Sequence, residues 1–107
     1  MELEEIKKRI KEKEKFLREK YKIKRIAIFG SRARKEEKEG SDIDIILEFS
    51  EPIGWEIVEI KDFFESLLDL RVDILTFKGV LRKPSFWDSI KEDIIYLYKR
   101  NEMVNFN

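Results

Sequence analysis

The chain has no cysteine and no histidine. The first absence excludes disulfides, thiolate zinc sites and cysteine nucleophiles. The second removes the commonest general base and transition-metal ligand. Any catalysis must therefore run on carboxylates, Lys, Arg, Ser or Tyr, and any metal must be a hard cation taken by oxygen, Mg²⁺ or Mn²⁺ rather than zinc. Glycine and proline are scarce, 4 and 2 in 107 residues, and no stretch reads as an internal linker. No run approaches the ~18–20 apolar residues of a membrane span. The N-terminus lacks a signal-peptide core, so a cytoplasmic location with no membrane attachment is expected. Charge of one sign is also missing: 23 basic and 23 acidic residues cancel. That balance argues against a chain that coats nucleic acid, so no extensive direct nucleic-acid binding is expected.

What is present suits one domain over residues 1–107, long enough to bury roughly 60–65% of its unfolded surface. Residues 2–20 read as a charged amphipathic helix with Leu3, Ile6, Ile10, Phe16 and Leu17 as its apolar stripe. A short buried run at Ile26, Ala27, Ile28 and Phe29 places a strand over 23–29. Gly30 ends it, residues 31–37 can make a short helix, and the charged segment 35–40 is expected as an exposed loop. A second strand over 41–49 alternates, sending Ile43, Ile45, Leu47 and Phe49 to one face and Asp42, Asp44, Ile46 and Glu48 to the other. One face packs; the other carries the carboxylates.

Pro52 and Gly54 mark a turn, and apolar residues at 57, 60, 63/64 and 67/68 predict a helix over 55–70. A third strand follows over 71–77, with Asp73 interrupting Val72, Ile74 and Leu75. Residues 79–84 read as a loop. Ser85 and Asp88 resemble a capping box opening a last helix that buries Trp87, Ile90, Ile94, Ile95 and Leu97. Trp55, Phe63, Phe64, Phe86 and Trp87 are expected mostly in the core.

Two features carry chemistry. Gly30-Ser31 follows one strand, and Asp42 and Asp44 open the next. A Gly-Ser turn leading into a helix offers free backbone N–H groups and a positive helix end to a phosphate. Carboxylates at i and i+2 on a strand share a face, roughly 6–7 Å apart along it. Alone they are commonly a solvated strand edge; below a phosphate-binding turn they can hold a divalent cation that grips substrate phosphates. Asp73 adds a third acid if its strand lies beside the second, as metal ligand, general base or both. Its ordinary alternative is an exposed residue paired with Arg71 or a lysine. Three such acids can hold two metals that clamp the attacking and leaving oxygens of an in-line displacement. Arg32 and Arg34 can reach a triphosphate through their planar forks, or stand as ordinary surface residues.

The run Ile28-Phe29-Gly30-Ser31-Arg32-Ala33-Arg34, then Ser41-Asp42-Ile43-Asp44-Ile45-Ile46-Leu47, then Arg71-Val72-Asp73-Ile74-Leu75-Thr76 resembles the minimal nucleotidyltransferase family of the DNA polymerase β-like superfamily. The likeness covers roughly residues 20–100, with one departure at Lys35, where a glycine often follows the second arginine. It implies an α/β (α+β) fold with a small mixed sheet and helices packed mainly on one side. It also implies Mg²⁺-dependent transfer of a nucleoside monophosphate, usually from ATP, to a hydroxyl, with Mn²⁺ as a possible substitute. By position Asp42 and Asp44 match the metal-binding pair, Asp73 the third carboxylate, and Gly30 and Ser31 the phosphate-holding turn. Several such proteins resemble antitoxins that adenylylate a tyrosine of a HEPN-type partner, a helical RNase. The chain looks too short for the second domain that holds an acceptor in larger relatives, so a partner protein is the expected acceptor. The rival expectation is a non-catalytic binding module that neutralises a partner by contact. With no base-reading pocket in view, ATP or another triphosphate is expected to be held through its phosphates, by Gly30, Ser31, the metal and Arg32.

Overall fold

The computed structural model describes residues 2–29 and 42–98. The elements run α1 (Leu3–Lys11), α2 (Glu14–Lys20), β1 (Ile23–Phe29), β2 (Ile43–Phe49), α3 (Glu56–Leu68), β3 (Val72–Thr76), α4 (Phe77–Leu81), α5 (Pro84–Ile90) and β4 (Ile95–Tyr98). The four strands form one mixed sheet in the order β3-β2-β1-β4. β1 pairs antiparallel with β2 and β4, whereas β2 and β3 are parallel. A parallel pair needs a crossover, and α3 supplies it.

Alternation along the strands assigns the two sheet faces. Ile23, Ile26 and Ile28 of β1, Ile43, Ile45 and Leu47 of β2, and Val72 of β3 share a core with Ile6, Ile10, Leu17, Ile60, Phe64 and Leu68 from α1, α2 and α3. Each fully buried aliphatic or aromatic side chain contributes about 1.5–3 kcal/mol relative to exposure. The opposite face is also packed, which the second strand's pattern did not anticipate. There Ala27 and Ile46 meet Phe77 and Val80 of α4 and Ile90 of α5. α1, α2 and α3 thus lie on one side, and α4 and α5 cover part of the other.

The first helix breaks in two around residues 12–13, and Phe16 remains 40% exposed rather than joining the apolar stripe. The segment expected as a loop at 79–84 holds most of α4, whose N-cap Thr76 accepts a hydrogen bond from Gly79 N–H at 3.0 Å. The last helix stops at Ile90, and Ile95 to Tyr98 form an edge strand instead of its continuation. α5 opens with Lys83 at the N-cap and Pro84 in its first turn, with no side-chain cap from Ser85. Pro84 suits that first turn, where a missing N–H costs nothing. Trp55 is 91% exposed, just before α3 begins. Among the described residues no helix is long and apolar enough to cross a membrane.

Tyr98 ties the edge strand to the sheet. Its ring is buried under the Arg18 guanidinium, 4.3 Å above it, and its hydroxyl donates to Ile23 O at 3.2 Å. Burial pushes its phenol well above the ordinary range. Removing only the hydroxyl costs one buried hydrogen bond, about 1 kcal/mol. Tyr98→Phe should therefore lower the melting midpoint by about 4 °C, read by circular dichroism. No change would mean that the hydroxyl is equally well satisfied in the unfolded chain.

Candidate active site

The carboxylates sit where the sheet's register brings three strands to one end. Parallel pairing sets Ile43 opposite Val72 and Asp44 opposite Asp73. Antiparallel pairing sets Phe29, the last residue of β1, opposite Asp44. The row across the sheet therefore reads Phe29, Asp44, Asp73. Residues paired across a ladder share a face, so all three point to the side that α4 and α5 partly cover. Asp44 is half-buried in the middle of the row, while Asp73 is exposed on the edge strand.

Asp42 lies one row earlier, opposite Arg71. Its N–H donates to Arg71 O at 2.9 Å, a carbonyl that also accepts from Ile43 N–H at 3.2 Å. In return Arg71 N–H donates to Asp42 Oδ2 at 3.1 Å, and Arg71 Nη2 lies 3.5 Å from Asp42 Oδ1. The start of β3 is held from the other side as well, because Glu65 Oε2 on α3 accepts Val72 N–H at 2.9 Å. Between them, Asp69 at the C-cap of α3 takes the left-handed conformation, φ 56°, which Asp tolerates better than most residues. The turn from α3 into β3 is fixed at both ends, and it fixes Asp73 two residues on.

Of the residues expected from sequence, the fold thus brings Asp44 and Asp73 into one row and Asp42 into the adjacent row on the same face. Gly30, Ser31, Arg32 and Arg34 lie outside the described residues, as do the expected short helix and loop beyond them. The chain nonetheless enters that segment from Phe29, directly opposite Asp44. Arg71, which the ordinary alternative for Asp73 offered as its partner, pairs with Asp42.

Three aspartates at the head of two parallel strands offer only oxygen donors, the type that hard cations take. Among the described residues, which include all three aspartates, no group of three or more His, Cys, Asp or Glu stands close enough together to hold a metal ion. The oxygen-only donor set fits Mg²⁺ or Mn²⁺ in type, but Asp42 is turned onto Arg71.

Other residues of this neighbourhood were given no part in the site from sequence. Phe86 of α5 is 37% exposed and meets Phe29 edge-on, with ring centroids 5.8 Å apart. It places an aromatic surface beside the acid row, where apolar spacing alone assigned Phe86 to the core. Arg71 was detectable by the two-residue alternation that puts it on the face of Asp73. Glu65 was not, because its role depends on how α3 turns into β3.

Comparison with known proteins adds the following. A family model described as a nucleotidyltransferase domain matches residues 5–97. The "Putative protein adenylyltransferase" MJ1217 of Methanocaldococcus jannaschii is 46% identical over 96 residues, covering 89% of this chain and 97% of that protein. The protein adenylyltransferase MntA of Thermococcus cleftensis is 38% identical over 96 residues, covering 89% of this chain and 95% of its own length. Among solved structures, a toxin–antitoxin crystallised with AMP-PNP superposes with a TM-score of 0.63 at 22% identity, over 91% of this chain and 76% of that one. That last likeness is one of fold.

Proposed function

The chain belongs to the nucleotidyltransferase domain family, and from that premise we propose that it transfers AMP from ATP to a hydroxyl of a partner protein, as the antitoxin of a HEPN-type toxin. The enzyme class follows from membership. The observation that carries the finer reading is the register that sets Asp44 against Asp73 at the point where β1 releases the chain into Gly30-Ser31. The names of the relatives support AMP as the group and a protein as the acceptor. The toxin–antitoxin neighbour with its nucleotide analogue supports a toxin as partner.

In this reading Asp42 and Asp44 would be the primary ligands of Mg²⁺, and Asp73 would serve the acceptor side of the site, with the holding of a second ion only as its secondary role. When bound, the ion neutralises charge on the triphosphate and on the departing pyrophosphate. Backbone N–H groups at Gly30 and Ser31, aided by Arg32, hold the phosphates. The acceptor oxygen attacks the α-phosphorus, the bond to the bridging oxygen breaks, and pyrophosphate leaves. Asp73 takes the hydroxyl proton, since it is the exposed acid at the sheet edge. Phe29 and Phe86 offer a stacking surface to the base, and stacking tolerates any base. Discrimination among triphosphates is then modest.

Mass spectrometry of a toxin partner, purified after co-expression with this chain, tests the proposal. An added adenosine monophosphate on a hydroxyl side chain is expected, and its loss on Asp44→Asn. A partner that is silenced in the complex yet carries no added mass would show neutralisation by contact and overturn the transfer reading.

A further inference from the structure

The acid row contains a cation that the reaction just described does not use. Arg71 stands two residues before Asp73 on the same strand face, and opposite Asp42 across the ladder. Four positions at this end of the sheet therefore form two rows, Asp42 with Arg71 and Asp44 with Asp73. Arg71 holds Asp42 through two separable contacts. One oxygen accepts the Arg71 backbone N–H at 3.1 Å, a bond that survives any substitution of the side chain except proline. The other lies 3.5 Å from the guanidinium, whose side chain is 67% exposed against 32% for Asp42. The backbone bond orients the carboxylate. The guanidinium adds charge.

That charge opposes a divalent cation arriving alone, and it occupies an oxygen the cation needs. It attracts a triphosphate, to which arginine's planar fork is suited. Being mostly exposed, the side chain is free to leave Asp42 at small cost, since exposed ion pairs are weak.

We propose that Arg71 is a positioning residue that couples cation binding to triphosphate binding. Its guanidinium holds Asp42 while the site lacks nucleotide, and moves onto the phosphates when a nucleotide brings its cation. This inference rests on the carboxylate site proposed above and deepens it.

The signature is a pair of effects with opposite signs. In Arg71→Ala the backbone bond keeps Asp42 in place while the competing charge is gone. Mn²⁺ alone should then bind about 2–5-fold more tightly. A non-hydrolysable ATP analogue with Mn²⁺ should bind about tenfold more weakly, through loss of a charged hydrogen bond. Arg71→Lys, with charge but no fork, should leave Mn²⁺ affinity near the wild type and weaken the analogue. Both affinities are read by isothermal titration at low ionic strength on the intact chain. Asp44→Asn serves as control, and melting curves confirm each fold.

A merely structural arginine would weaken both ligands in Arg71→Ala, and that result, or no change in either, overturns the proposal while the carboxylate site stands. If Asp44→Asn leaves Mn²⁺ affinity unaltered, the carboxylate site itself is wrong and the coupling falls with it.

Discussion

Asp44→Asn should abolish nucleotidyl transfer while the domain stays folded. Asp44 occupies the centre of the row, between Phe29 and Asp73, on a strand whose neighbours Ile43 and Ile45 anchor the main core. Its own side chain is not part of that core, and an amide keeps one acceptor oxygen at nearly the same size. Removing one of two carboxylates on paired positions also relieves repulsion between like charges. Stability should therefore be unchanged or slightly raised. The chemistry has no such tolerance. A ligand that helps neutralise the transferring phosphate is worth several kcal/mol, and each 1.36 kcal/mol is a factor of ten, so the rate should fall about 10³-fold or more. Melting curves and a transfer assay on the same preparation separate the two effects. A lost melting transition would make Asp44 structural; full activity would remove it from the site.

Asp42 behaves differently, and here the structure amends what its sequence position suggests. Asp42 and Asp44 look equivalent as an i, i+2 pair. Yet Asp42 accepts the Arg71 N–H at the junction of α3 and β3, so it has a part in holding β3 as well as in any site. Asp42→Ala removes that acceptor and should cost about 1 kcal/mol.

The strands that carry the site were legible because their signals are local. Ile23–Phe29 is bounded by a positive-φ Lys22 and by Gly30, and its apolar run is short. Ile43–Phe49 alternates with period two, and Asp73 stands out as a lone acid in an apolar stretch. The errors arose where partners decide. Ile90, Ile94, Ile95 and Leu97 fit a helical stripe as well as they fit a helix followed by a strand. The open edge of β1 resolves that ambiguity by pairing with Ile95–Tyr98. α4 was hidden because Gly79 lies within it, a residue with poor helix propensity, here supported by the Thr76 cap. Trp55 lies at the helix start, where side chains need not face the core, and periodicity could not tell. The strands that bear the acids were thus readable, while the Asp42–Arg71 pair and the Glu65 bond to Val72 N–H required the turn between α3 and β3.

Asp73→Asn should leave nucleotide binding nearly intact and slow turnover by about 10²–10⁴-fold, the usual cost of removing a general base. The fold argues for this division of labour. Asp44 is inboard, flanked by β1 on one side and β3 on the other, and faces the point where the chain turns into Gly30-Ser31. Asp73 is outboard, on an edge strand and exposed. An acceptor hydroxyl presented by another protein must come from outside the sheet, so it meets Asp73 first. An acid placed there can take the proton as the new bond to phosphorus forms, and its amide replacement cannot. The expected result is a fall in kcat with little change in KM for ATP, together with an affinity for a non-hydrolysable analogue close to that of the wild type. Raising the pH should recover part of the loss, because a more ionised acceptor needs less help from a base. A matching loss of analogue affinity would instead place Asp73 among the primary cation ligands. The proton would then have to leave through another group or through solvent.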